Sequence, residues 1–195
     1  FDLDGDVDLY VAKDAVPHAM YRNDGRGTFT DVTLESNTGY SEDGKPESGM
    51  GTDAGDFDGD GLFDLISCHL SGEVNELWRN LGNMRFEHIT YPSGFGEISL
   101  PFVGFGANFF DYDNDGDQDI FVANGHILDN VELYSDTITF TQPPQFFENR
   151  GGCRYREISA QAGAYFRSRD VGRGAVVDEW GHDLDPDRVI SSNER

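Results

Sequence analysis

The sequence predicts an all-β protein built from tandem four-stranded units. Three observations carry this. An acidic loop of the pattern Asp-x-Asp-x-Asp-Gly-x-x-Asp recurs along the chain, each time followed by a short apolar run. A second marker, an Asn closing a hairpin strand (Asn23, Asn80, Asn149), recurs at nearly the same interval. With 24 glycines and few helix-like stretches, the composition suits short strands and many turns.

The 195 residues suffice for one or two domains with a true core. Lys and Arg number 14 against 37 Asp and Glu, a formal charge of −23. That balance argues against nucleic acid and against anionic membrane surfaces as partners. Disorder is the usual outcome for so acidic a chain. Here aromatics reach 13% and the acids cluster in spaced loops between apolar runs, which points to a folded domain. No stretch approaches 18 apolar residues, so no membrane span is expected. The two cysteines, Cys68 and Cys153, fall at non-equivalent places in different repeats and are expected to stay unpaired.

The chain opens on Phe1-Asp2-Leu3-Asp4-Gly5-Asp6-Val7-Asp8. Aligned on the glycine, Asp2 is loop position 3, Asp4 position 5, Asp6 position 7 and Asp8 position 9. Position 1 lies before residue 1, so the natural chain is expected to extend further N-terminally. Leu9-Tyr10-Val11-Ala12 reads as a strand. Met20 to Asn23 and Thr28 to Thr33 read as a hairpin across the glycine-rich turn 24–27. Residues 34–48 are polar and carry Gly and Pro, so they read as a connection. Residues 1–48 thus form a partial blade lacking its first strand.

The pattern restarts at Gly49-Met50-Gly51, and residues 49–101 form the second unit. Its loop places Asp56, Asp58, Asp60 and Asp64 at positions 1, 3, 5 and 9, with Gly61 at 6 and Leu62 at 7. The third unit, 102–171, carries Asp111, Asp113, Asp115 and Asp119 at the same positions, Gly116 at 6 and Asp117 at 7. An insertion of about 127–144 separates its second strand from its hairpin. A fourth unit opens at Gly172-Arg173-Gly174. Its loop is degenerate: Glu179, Asp183 and Asp187 stand at positions 1, 5 and 9, but Gly181 replaces the acid at 3 and Leu184 the glycine at 6. Metal binding there is expected to be weak or absent.

The loops read as Ca²⁺ sites. A hard divalent cation takes six to eight oxygens at roughly 2.3–2.6 Å, and alternating acids on a curled loop supply them. Gly at position 6 permits the reversal, and position 7 (Asp6, Leu62, Asp117) gives its backbone carbonyl. An EF-hand is excluded, because position 12 of the third loop is Val122 and the flanks have strand character. With carboxylate and carbonyl donors alone, the ion is structural rather than a Lewis-acid catalyst.

From Gly5 to Gly61 is 56 residues and from Gly61 to Gly116 is 55. From Asn23 to Asn80 is 57, and the insertion lengthens the next interval to 69. Two markers with one spacing establish a repeat. Four short strands per repeat are the content of a β-propeller blade, whose edges radial stacking protects. The Gly-x-Gly openings recur with the blade and are expected to pack backbone on backbone near the axis.

The phrases Asp-Tyr-Asp-Asn-Asp-Gly-Asp (111–117), Leu-Tyr-Val-Ala (9–12) and Tyr-Arg-Asn-Asp-Gly-Arg-Gly-Thr-Phe-Thr-Asp-Val-Thr (21–33) resemble FG-GAP/VCBS repeats, relatives of the integrin α-subunit propeller. Asn-Gly-His-Ile (124–127), the hairpin at 146–159 and Gly-Arg-Gly-Ala (172–175) are similar to the cartilage-acidic-protein-like subgroup that often precedes an ASPIC/UnbV region. The resemblance implies a Ca²⁺-binding propeller, commonly of seven blades, in a secreted or surface-exposed protein. This chain would then be part of a larger propeller.

No catalytic constellation accompanies the loops. The five histidines form no HxxxH or HExxH pattern, and no GxSxG or phosphate-binding glycine loop occurs. Packing is the preferred role for the histidines, with His126 expected to order the insertion. Tyr21, Trp78 and Phe147 share one hairpin column and are expected in the core between blades. The main expectation is an extracellular, cell-surface or periplasmic module that binds a protein or glycan ligand, or self-assembles. The alternative is the scaffold of a polysaccharide lyase or hydrolase.

Overall fold

A computed structural model describes residues 1–178 and 188–193. Its strands form antiparallel sheets in chain order. The first holds β1 (Leu9–Val11), β2 (Ala19–Asn23) and β3 (Phe29–Asp31). The second holds β4 (Thr52–Gly55), β5 (Asp64–Ser67), β6 (Glu76–Asn80) and β7 (Phe86–His88). The third holds β8 (Gly104–Phe110), β9 (Asp119–Asn124), β10 (Gln145–Asn149) and β11 (Tyr155–Glu157). In the last, β12 (Gly172–Asp178) pairs with β13 (Arg188–Asn193). Each sheet is a simple meander, and the first lacks only an innermost strand. The architecture is all-β and blade-like, as the repeat predicts. The degenerate loop residues Glu179, Asp183 and Asp187 lie outside the described residues.

The sheets stack face to face, so the central strands are buried on both sides. In β5 and β6, Leu65 pairs with Trp78 and Ile66 with Leu77. Side chains alternate across a strand. Leu65 and Trp78 therefore join Met20, Val32 and Phe86 on the side of the first sheet. Ile66 and Leu77 join Phe95, Phe109, Ile120, Val122 and Phe147 on the side of the third. Trp78 and Phe147 are fully buried, as their shared hairpin column implies, whereas Tyr21 is half-buried.

The Gly-x-Gly openings lie where inner strands meet. A Cβ on Gly51 would strike the Phe105 carbonyl, and one on Gly106 would strike the backbone of Gly174 and Ala175. Only glycine permits this approach of β4, β8 and β12. Two one-turn helices, α1 (Thr33–Ser36) and α2 (Gly96–Ser99), sit in connections. His126 pins the insertion: its N–H donates to Phe140 O at 2.9 Å and its Nδ1 accepts from Leu128 N–H at 3.1 Å. Cys68 and Cys153 are free thiols.

Candidate metal sites

The three acidic loops adopt one backbone. Position 6 has positive φ in each: 96° at Gly5, 87° at Gly61 and 92° at Gly116. Position 4 does too, at 62° for Leu3, 73° for Gly59 and 58° for Asn114. The sequence pattern announces position 6 only. Position 4 carries Gly, Asn or Leu, and the leucine conceals the requirement, since a γ-branched residue rarely adopts it.

The acid at position 9 is a clamp. Asp64 Oδ2 accepts the Phe57 N–H at 3.0 Å across the loop, and Oδ1 accepts the Asn80 N–H at 2.7 Å from the hairpin. Asp119 does the same with Tyr112 (3.0 Å) and Asn149 (2.8 Å). Asp8 receives the Phe1 amino group at 2.7 Å and the Asn23 N–H at 2.9 Å. All three are buried. Burial raises Asp64 and Asp119 to about 7, against the opposing pull of the N–H donors, and the neighbouring acids push the same way as burial.

The acid at position 1 shapes the turn. Asp56 accepts from Asp60 N–H (3.1 Å) and Gly61 N–H (2.9 Å). Asp111 accepts from Asp115 N–H (3.1 Å) and Gly116 N–H (2.8 Å). Position 5 caps the descending arm: Asp4, Asp60 and Asp115 each accept the N–H two residues on.

Carboxylates converge in two of the loops. Asp56, Asp58 and Asp64 bring oxygens within 4.8 Å of one another, and so do Asp111, Asp113 and Asp115. Asp2, Asp4, Asp6 and Asp8 form no such group among the described residues. Leu62 and Asp117 follow the position-6 glycines in the second and third loops. Every ligand offered is an oxygen, the donor set of a hard cation. The loops differ in their neighbours. Arg79 forms ion pairs with Asp58 and, through Nη2 at 3.5 Å, with Asp60. The equivalent residue beside the third loop is Glu148, which pairs with Arg150 at 3.0 Å and Arg156 at 3.1 Å and brings no cation to the loop acids itself.

The hairpin asparagines were legible as spacing markers but not as connectors. Asn149 Nδ2 donates to Gln118 O (3.1 Å) in its own loop and to Phe57 O (2.9 Å) in the preceding one. Asn80 Nδ2 likewise reaches Phe63 O (2.9 Å) and Phe1 O (3.0 Å). Each asparagine thus ties its own loop to position 2 of the loop before.

A family model described as an FG-GAP-like repeat matches residues 1–67 and again 56–122. Each match runs from one acidic loop through the next. A search of curated proteins returned no match.

Proposed function

The chain belongs to the FG-GAP-like repeat family, and from that premise we propose that it is a calcium-stabilised propeller module for extracytoplasmic binding or adhesion. The observation that carries the reading is the convergence of three carboxylates in each of two identically folded loops. The donors fit Ca²⁺: Asp111, Asp113 and Asp115 with the Asp117 carbonyl, and Asp56, Asp58 and Asp64 with the Leu62 carbonyl. Asp2, Asp4 and Asp8 with the Asp6 carbonyl are the corresponding donors of the first loop, which takes its ion only once these acids close as the other two trios do. Bound there, the ion would neutralise clustered acids and fasten the first two strands of a blade. Its role is structural. Extracellular modules hold Ca²⁺ at roughly 10⁻⁴–10⁻³ M, which suits a calcium-rich, extracytoplasmic setting.

A protein or glycan ligand would meet the module at its inter-blade loops. The insertion supports this, since Leu133 and Tyr134 are 78% and 77% exposed. Turnover that depends on residues of this chain would overturn the non-catalytic part of the reading.

Thermal unfolding in EDTA and in about 2 mM CaCl₂ tests the calcium part. A ligand bound only to the folded state stabilises by RT ln(1 + [L]/Kd). Three sites near 10⁻⁴ M give about 5 kcal/mol together. For a chain of this size that is a rise in Tm of roughly 10–20 °C. The rise should shrink when Asp58 and Asp113 become Ala. No rise in the unaltered protein would sink the reading.

A further inference from the structure

Acidic side chains also gather far from the loops, at the opposite end of β6. Residues 41–48 fold back over Glu76, held by Ser41 N–H to Lys45 O at 2.9 Å and Gly44 N–H to Ser41 O at 2.8 Å. Beneath them is a cavity of about 20 Å³, lined by Ser41, Glu42, Asp43, Glu47, Glu76 and Tyr91. That is room for one water-sized sphere.

Two buried carboxylate oxygens there, Glu47 Oε2 and Glu76 Oε2, have no hydrogen-bond donor. Glu76 is only 1% exposed. Glu47 Oε2 lies 3.3 Å from His69 Nδ1, but that ring proton goes to Val74 O at 2.6 Å. His88 Nδ1 stands 3.8 Å from the other Glu76 oxygen, beyond hydrogen-bond reach. Lys45 lies in solvent, 3.9 Å from Asp43. Leaving a buried carboxylate oxygen without a partner is costly unless a proton or a cation meets it. Burial, then the neighbouring acids, raise Glu47 to about 7 and Glu76 to about 9.

A nitrogen-containing donor set lies close by. His18, His69 and Glu76 bring ligand atoms within 4.8 Å of one another. The hydrogen bonds place the ring protons so as to oppose a metal there. Lys13 N–H donates to His18 Nδ1 at 3.1 Å, so the His18 proton is on Nε2 and points at His69 Nε2, 3.2 Å away. The His69 proton is on Nδ1, given to Val74 O. While its Nδ1 accepts from the backbone, His18 has no free lone pair on Nε2. The pair is a hydrogen-bonded link between the first and second sheets. Oxygen donors alone remain for an ion.

We propose that the cavity binds one hard divalent cation, Ca²⁺ in preference to Mg²⁺, through Glu47 and Glu76, with Glu42, Asp43 and Ser41 completing the oxygen shell. The cavity has room for one ion but not for the several waters that Mg²⁺ keeps, whereas Ca²⁺ adapts to an irregular oxygen shell. An open vestibule of about 170 Å³ shares Asp43, Glu47 and Tyr91 with the cavity and provides access. The bound ion ties the 41–48 connection to the second sheet. The site is independent of the acidic loops.

Equilibrium dialysis with ⁴⁵Ca²⁺ tests this. The Glu47→Gln/Glu76→Gln variant, isosteric and relieved of two buried acids, should bind one ion fewer per chain than the unaltered protein. Asp58→Ala/Asp113→Ala should leave that ion in place, so failure of the loop sites and failure of this one are separable. Equal stoichiometry in the unaltered protein and the Gln variant would overturn the proposal. Terbium luminescence gives a second reading that does not disturb the ligands. Tyr91 borders the cavity, so Tyr91→Phe should lose part of the tyrosine-sensitised emission. Unchanged emission would also overturn it.

Discussion

Replacing Asn149 by Ala should destabilise the protein by about 2–4 kcal/mol even without calcium. The side chain is 4% exposed and makes three hydrogen bonds: to Phe57 O, to Gln118 O and from Gly151 N–H at 3.0 Å. A typical hydrogen bond contributes roughly 0.5–1.5 kcal/mol net, and removing one partner strands the buried other. Three such losses give the stated range, or a fall in Tm of roughly 5–15 °C. Urea titration and thermal melts in excess EDTA measure it with the metal contribution removed. Asn23 is the internal control. It makes the Val7 O (3.0 Å) and Gly25 N–H (3.1 Å) contacts in a more exposed setting. Asn23→Ala should cost about 1 kcal/mol. If Asn149→Ala cost no more than Asn23→Ala, the contact between successive loops would contribute nothing and the reasoning would fail.

Stability in EDTA should fall as pH rises from about 4 to about 7. Asp64 and Asp119 have folded-state pKa values of about 7, and burial raises Glu47 and Glu76 likewise, so in that window the folded state holds protons that the unfolded state has released; the buried His18 and His69, lowered to about 4 and about 3, pull the other way but are outnumbered. Calcium replaces those protons, so its stabilising effect should grow over the same window. Urea midpoints at pH 5 and pH 8, with EDTA and with calcium, check both signs, and an apo protein more stable at pH 8 would contradict them. Arg79→Ala should tighten calcium binding at the second loop by about five-fold, since an ion pair whose arginine is partly exposed is worth on the order of 1 kcal/mol and the guanidinium competes for Asp58 and Asp60. Calorimetric titration that shows weaker binding would refute this. Gly106→Ala should cost about 1–3 kcal/mol by forcing β8 away from β12, whereas Gly27→Ala meets no neighbour and carries only the strain of its positive φ.

The repeat, the loops and the order of strands were legible because each depends on local pattern. Alternating acids, a glycine at position 6 and a recurring hairpin asparagine survive in the linear order of residues. What escaped depends on contacts across sequence distance. Asn149 meets Phe57 92 residues away, and His18 meets His69 across 51. Glu47 and Glu76 look like ordinary acids until the 41–48 connection closes over them. The left-handed residue at position 4 was hidden by Leu3, which carries none of the turn chemistry of Gly59 or Asn114. The one-turn helices α1 and α2 lack side-chain caps and left no mark in the sequence.

The acids of one loop do not share one task, and this governs how calcium dependence is read. Positions 1 and 9 spend their oxygens on backbone N–H groups, and position 9 joins the loop to the hairpin. Removing Asp64 therefore breaks the fold and the ligand trio together, and removing Asp119 breaks the same clamp in the third loop, so a lower melting temperature would say nothing about an ion. Position 3 differs. Asp58 faces Arg79 and the other carboxylates of its trio and accepts a single loop N–H, from Asp60 at 3.2 Å. Arg79 already meets its charge, and a bound cation would compete with that guanidinium for it. The Asp58→Ala/Asp113→Ala pair thus reads the ion more cleanly, because at Asp58 the apo fold gives up the Arg79 pair and one loop hydrogen bond but keeps both position-9 clamps, while the bound state loses a ligand in each of two sites. A calcium response that vanished with Asp64 but survived that pair would place the dependence in the clamp rather than in cation coordination.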